Sequence, residues 1–133
     1  MLFRSAIGSA ATGLLVSGRD EYDDRNGYVS LLGILGRESY NFDGSDPRFI
    51  TEMLESSLNA SSPAFGGNLW GERYANIRTG TIILNALDVV DSAEMPDEEK
   101  EATRGFVKTL QAFEFLLLVN TRDVNGEIGR AHV

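Results

Sequence analysis

The sequence predicts an all-α fold, and three observations predict it. Two long stretches, residues 68–91 and 97–122, carry apolar side chains at steps of three or four, the spacing that stacks them on one helical face. The breaker Ser92-Ala93-Glu94-Met95-Pro96 separates the two and makes them a helical hairpin. Upstream, residues 6–21 and 28–36 repeat the arrangement around a polar turn, which predicts a second antiparallel hairpin.

Taken in order, the first helix spans residues 6–21, with Ile7, Ala10, Ala11, Leu14, Leu15 and Gly18 on one face. It ends in the charged run 19–27, closed by the turn-forming pair Asn26-Gly27. Tyr28, Leu31, Leu32 and Leu35 mark the second helix. From Arg37 to Arg48 periodicity disappears and Tyr40, Asn41, Phe42, Asp43, Gly44, Ser45, Asp46 and Pro47 form an ordered loop. A short helix follows over residues 49–54, opened by Asp46 as a cap with Pro47 at its first position. Residues 56–67, rich in Ser, Asn, Pro and Gly, read as a flexible connection.

In the first long helix Trp70, Tyr74, Ile77, Thr81, Leu84 and Leu87 form the expected packing stripe, and in the second Phe106, Leu110, Phe113 and Leu117 do so. Ala112, Leu116 and Val119 add a second apolar flank, so one partner cannot cover this helix and further helices are expected against it. If those helices are missing, Phe113, Leu116 and Leu117 are exposed and the isolated chain self-associates or stays partly molten. Asp97, Glu98, Glu99 and Glu101 crowd the start of the last helix, where negative charge meets the positive end of the helix dipole. At about 1.5 Å per residue that helix spans about 37 Å, suited to a rib of a helical solenoid. Eight of the glycines, at positions 8, 13, 18, 33, 36, 71, 80 and 105, lie inside these helical stretches, which predicts close helix approaches or local breaks.

Composition bounds the function. The chain has 133 residues, is 42% hydrophobic, and contains no run long enough to span a bilayer, which fits one domain or part of one. Without cysteine there is no disulfide, cysteine nucleophile or thiolate zinc site. A net charge of −8 with only two lysines, Lys100 and Lys108, argues against a nucleic-acid partner, which demands clustered basic residues.

No catalytic constellation, cofactor motif or metal motif emerges. Gly8, Gly13 and Gly18 are spaced by five and are no dinucleotide fingerprint. Asp20, Asp23, Asp24 and Asn26 lack the glycine and glutamate of a calcium-binding EF-hand loop. The acidic pairs Asp23-Asp24 and Asp97-Glu98 sit in a turn and at a helix start, where solvated or capping charge is the ordinary use. Trp70 has the flat face that stacks on a sugar ring, but its place on the stripe with Tyr74 and Ile77 assigns it to packing. The ligand-binding candidates are in the loop: Arg37, Tyr40, Phe42, Asp43, Asp46 and Arg48 combine two aromatics with paired hydrogen-bonding charges, the mix a glycan platform needs. The same residues also suit a turn whose aromatics tuck beneath it and whose charges are solvated.

The long hairpin carries a family resemblance. Its second helix, with Gly105, Lys108, Leu110, Ala112, Phe115, Leu118 and Val119, resembles the Gly-Glu-Ala-Lys-Phe-Leu-Arg-Ala-x-x-Tyr-Phe-x-Leu-Val helix of the SusD/RagB-like family of bacterial surface nutrient-binding lipoproteins. Its first helix, with Leu69, Trp70, Tyr74 and Ile77, resembles the same family's Leu-Trp-x-x-x-Tyr-x-x-Ile helix. The chain departs from that pattern at Thr81, where Asn is usual, at Thr109, where a large aromatic is usual, and at Gln111, where Arg is usual. The match covers residues 68–124. The resemblance implies a SusD-like, tetratricopeptide-related helical scaffold on the outer membrane, exposed at the cell surface. Such a protein binds oligosaccharide or another nutrient, makes and breaks no bond, uses no cofactor, and delivers its ligand to a TonB-dependent transporter. Its contact with the membrane is a lipid anchor on a cysteine outside this sequence. Two other classes stay open, a helical-repeat scaffold for protein partners and part of an all-α hydrolase.

Both ends of the sequence have a second reading. Residues 127–133, Glu127-Ile-Gly-Arg-Ala-His-Val133, are what GAG ATC GGA AGA GCA CAC GTC encodes, a stretch matching a common short-read sequencing adapter. Its reverse complement contains GTG CTC TTC CGA TCT, which gives Met1-Leu2-Phe3-Arg4-Ser5 when GTG is the start codon. The expectation is that residues 6–126 are part of the helical domain of a longer protein and that residues 1–5 and 127–133 are not native to it. No role is then assigned to His132, the sole histidine.

Overall fold

The computed structural model describes residues 2–54 and 68–121. Five helices follow in order, α1 (Leu2–Asp23), α2 (Tyr28–Leu35), α3 (Arg48–Thr51), α4 (Asn68–Val89) and α5 (Asp97–Asn120), with no strand among the described residues. The protein is all-α, as its periodicity requires. The segment 56–67, read above as flexible and containing the Asn59 sequon, lies outside the described residues, as does the tail with His132. Two compact units divide the chain, residues 1–18 with 73–133 and residues 19–72.

In the first unit α4 and α5 run antiparallel. Arg104 reaches Asp88 at 2.9 Å near the turn, and at the far end Arg73 reaches Glu114 at 3.0 Å. The breaker between them is ordered by its own polar groups. Ser92 Oγ donates to Asp97 Oδ1 at 2.7 Å, and Lys100 Nζ donates to the Val90 carbonyl at 2.7 Å, satisfying one of the carbonyls that α4 leaves open at its end. The Ser92 hydroxyl, then Lys100, holds the Asp97 carboxyl below the usual carboxylate range. Met95 anchors the turn, buried among Ile83, Leu87, Val90 and Val107. The N-terminal part of α1 completes this core with Ile7 and Leu14, running antiparallel to α4 and parallel to α5. Its helix starts earlier than the sequence predicts, at Leu2, and Arg4 pairs with Glu99 at 2.8 Å.

The buried lines share only Leu87 on α4 and Leu117 on α5 with the predicted stripes, with Leu84 and Leu110 half-buried against the core. Arg73, Asn76, Gly80, Ile83 and Leu87, with Val90 just past the helix end, are buried at steps of three and four, while Trp70, Tyr74 and Thr81 are exposed and Ile77 is half-buried. On α5 the buried residues are Val107, Glu114, Leu117 and Leu118, and Phe106 and Phe113 are exposed. Both helices are rotated by about one residue from the most apolar face. The cause is a polar seam. Asn76 Nδ2 donates to Glu114 Oε1 at 3.1 Å, Arg73 Nη1 donates to Glu114 Oε2 at 3.0 Å, and Ser17 Oγ of α1 donates to Asn76 Oδ1 at 3.0 Å. Both carboxylate oxygens are thus satisfied inside the unit, which is the condition for burying a charge.

Two glycines permit this approach. A side chain at Gly18 would stand 3.0 Å from Glu114 Oε1, and one at Gly80 would stand 2.8 Å from Gln111. The Gln111 amide passes Gly80 to donate to the Ile77 carbonyl at 2.8 Å and to the Thr81 hydroxyl at 3.1 Å. Gly8, Gly13, Gly71 and Gly105 meet nothing within 4 Å, so close packing accounts for only some of the helical glycines.

The second unit is built on a small apolar core of Leu31, Ile34, Phe49 and Met53, with Leu35 and Leu54 against it. The last turn of α1 joins α2 through the stacked rings of Tyr22 and Tyr28, 5.9 Å apart, across a turn closed by the Gly27 amide on the Asp24 carbonyl. At the end of α2 the amide of Glu38 bonds the Gly33 carbonyl and that of Arg37 bonds the Ile34 carbonyl, the paired bonds of a Schellman stop. The left-handed residue of that stop is Arg37, at φ 62°, rather than Gly36 beside it.

Candidate functional site

All six sequence-predicted ligand residues belong to the second unit, on the segment from the end of α2 to the start of α3. The four charged ones are engaged by the protein itself. Asp43 accepts Arg25 Nη1 at 2.7 Å through one oxygen and the Ser45 amide at 2.9 Å through the other. Asp46 is buried and takes the Arg48 guanidinium on both oxygens at 2.7 Å, the two-pronged geometry that suits arginine and carboxylate. It also accepts the Arg48 backbone amide at 3.3 Å, but the short helix runs over Arg48–Thr51 rather than 49–54 and Pro47, not Asp46, stands at its cap position. Arg37 donates to the Leu54 carbonyl at 3.2 Å.

These contacts set the charge of the loop. Hydrogen bonds from Ser45, and then the Arg25 guanidinium, hold the Asp43 carboxyl below the usual range. The Arg48 hydrogen bond does the same for Asp46, and Asp46 in turn raises Arg48. Both carboxylates are therefore ionised at neutral pH. A carboxyl held low is an acceptor and a brace, and does not serve as a general acid there.

The two aromatics are placed differently. Tyr40 is 56% exposed and Phe42 71% exposed, and their rings stack at 6.0 Å with 17° between planes. They do not tuck beneath the loop. Stacking on each other fixes their orientation without covering them, so the pair offers apolar ring surface at the edge of a segment whose charges are locked. Asp46 Oδ1 takes two donors, the Arg48 Nε and backbone amide, whereas a carboxylate oxygen holding a single donor keeps a further lone pair for a ligand hydroxyl. Among the described residues no three acidic or histidine side chains converge in a way that holds a metal ion.

Sequence reasoning missed Arg25, which braces Asp43 and lies 5.6 Å above the Phe49 ring. It belongs to the charged run 19–27, where charge alone gave no reason to single it out. Asn41 was counted only as loop, yet its side chain accepts the Asp43 amide at 3.0 Å and sets the turn between the two aromatics and the first carboxylate. The neighbouring Asn26 has a buried amide oxygen that no donor among the described residues reaches. No helix of the described residues is long and apolar enough to cross a membrane. Comparisons with protein-family models, with curated proteins and with solved structures return no match for this chain.

Proposed function

We propose that the chain is a ligand-capture protein of SusD-like type, binding oligosaccharide at the loop of residues 37–48 and handing it to a TonB-dependent transporter at the bacterial surface. The observation that carries this reading is the exposed Tyr40–Phe42 pair on a loop held rigid by two arginine–carboxylate pairs. Sugar rings bind proteins through their C–H faces on aromatic surface and their hydroxyls on fixed acceptors. A loop whose charges are already oriented loses little entropy when it binds. The lowered carboxyls of Asp43 and Asp46 suit binding better than hydrolysis, because neither is poised to donate a proton.

A second observation bears on the family resemblance. Two of the positions at which the chain departs from the family pattern, Thr81 and Gln111, are hydrogen-bond partners of each other. That bond ties α5 to α4 inside the hairpin on which the resemblance rests. Titration calorimetry against a panel of α- and β-linked gluco-, manno- and xylo-oligosaccharides tests the binding. We expect one class to bind and the double variant Tyr40→Ala/Phe42→Ala to lose about tenfold or more in affinity, about 1.4 kcal/mol, with unchanged helical content. Equal binding by that variant, or no binding across the panel, sinks the proposal. Delivery to a transporter is tested separately, by a transporter gene directly upstream of the gene for this chain.

A further inference from the structure

Charge is unevenly spread along the chain. Residues 19–72, the second unit, hold ten acidic side chains against four arginines and have no lysine or histidine, so six of the eight net negative charges fall there. The exposed Tyr40–Phe42 pair belongs to this unit, and any solute that approaches it does so in the field of that excess.

An acidic ligand needs a cation to meet it, ordinarily an arginine fork on its carboxylate. The arginines of the unit are already committed. Arg25 is held by Asp43 and Arg48 by Asp46, each at 2.7 Å, and Arg19 has a partner as well. Arg37 donates to the Leu54 carbonyl at 3.2 Å, a bond that leaves its charge uncancelled, but Glu38 follows it directly in the chain. The excess of six negative charges already counts that cation.

What the loop presents instead is negative. Asp43 and Asp46 are ionised at neutral pH, because Ser45 and then Arg25 lower the first and Arg48 lowers the second. The exposed faces of Tyr40 and Phe42 carry the negative side of the aromatic quadrupole, which attracts cations and not anions. A sugar hydroxyl donates to a carboxylate oxygen, and an ammonium does so with added charge. A sugar carboxylate has no proton to donate at neutral pH and is repelled.

We infer that the loop of residues 37–48 selects its oligosaccharide by charge, taking neutral and amine-bearing sugars and excluding acidic ones. The inference rests on the loop reading and adds the class of glycan to it. The selection acts between an exposed loop and a solute, so it weakens as salt screens the field.

Calorimetry on the full 133-residue chain tests it. Cellohexaose, maltohexaose and mannohexaose are titrated in three forms, with C6 as hydroxyl, carboxylate or amine, and xylohexaose with and without a glucuronosyl branch. Where a neutral form binds, its acidic counterpart is expected to bind at least about tenfold more weakly in about 0.01 M salt and within about threefold in about 1 M, as the screening length falls from about 30 Å to about 3 Å. The amine form is expected to bind at least as tightly as the neutral one. The double variant Asp24→Lys/Glu38→Lys changes two exposed acids outside the six site residues. It is expected to narrow the low-salt gap about threefold or more and to leave neutral affinity unchanged. An acidic form that binds as tightly as its neutral counterpart, or an amine form that binds more weakly, overturns the inference and leaves the loop reading standing. So does a gap that persists in high salt, or one that the double variant leaves as it was while keeping its helical content. An acidic form that binds more tightly, and loses that advantage in Arg37→Gln, assigns the loop to anions and is the opposite result. Binding by no form of any hexamer ends the loop reading and the inference with it.

Discussion

Glu114 shows at the residue scale how a polar side chain decides the packing of two helices. Its carboxylate, with side-chain exposure of 6%, is held by Arg73 and Asn76. Removing one partner of such a pair leaves an uncompensated buried charge, so Glu114→Ala is expected to destabilise the chain by about 3–5 kcal/mol. Replacing both partners, as in Arg73→Met/Glu114→Leu, is expected to recover most of that loss, and urea melts of the three proteins measure the difference. This residue was not legible in the sequence. It stands between Phe113 and Phe115, and counting apolar spacing draws the buried face through those phenylalanines instead of through the charge. Trp70 and Tyr74 were misplaced for the same reason, since the line they lost to contains Arg73 and Asn76.

The loop carboxylates give a pH dependence at the same scale. Asp43 and Asp46 have pKa values lower in the folded loop than in the unfolded chain. The stability they contribute is thus fully present above the unfolded value of about 3.9 and is lost as pH falls through the lower folded values. The near-ultraviolet signal of Tyr40 and its neighbours should stay level from pH 8 to about pH 5 and change only below about pH 4. A transition centred near neutrality counts against the brace. The six site residues were legible as a loop of mixed aromatic and charged chemistry. That the charges bond each other while the rings remain outside was not, because it depends on Arg25, eighteen positions from its partner Asp43.

At the scale of elements, periodicity located the helices well and their faces less well. The end of α4 falls two residues before its predicted limit, and α5 starts at Asp97 as expected, since Pro96 and the acidic first turn are strong local signals. α1 starts at Leu2 rather than at residue 6, with Arg4 paired to Glu99. The helical glycines separate into two kinds with opposite expected effects. Gly13→Ala adds a side chain in open space and should stabilise the chain by about 0.5–1 kcal/mol. Gly80→Ala displaces the Gln111 amide from the Ile77 carbonyl and should destabilise it despite the same gain in helix propensity. Thermal melts of the two variants, shifted in opposite directions, check the assignment.

Over the whole molecule the apolar core is unevenly shared. Among the described residues the first unit's core holds seven buried apolar residues and that of the second holds four. Fewer buried contacts leave a unit easier to open. Native-state hydrogen exchange in rising denaturant should therefore show the amides of Leu31 and Ile34 exchanging through a lower-energy opening than those of Leu87, Val107 and Leu118. A single opening energy for both sets is the contrary outcome. The all-α class was legible because it rests on helical period alone. The second apolar flank expected on α5 is exposed at Ala112 and Leu116 and half-buried at Val119. However, Leu117, grouped with them as a residue left uncovered, is buried at 5% exposure.

Lysine is scarce here, and its two copies differ in reach. The Lys100 ammonium is tied to the Val90 carbonyl and the Ser92 hydroxyl, with side-chain exposure of 13%, whereas Lys108 is exposed on α5. Amine-directed dyes will therefore attach at Lys108 in preference to Lys100. A fluorophore coupled at Lys108 therefore reports from the exposed side of α5 and leaves the Lys100 tie across the breaker intact.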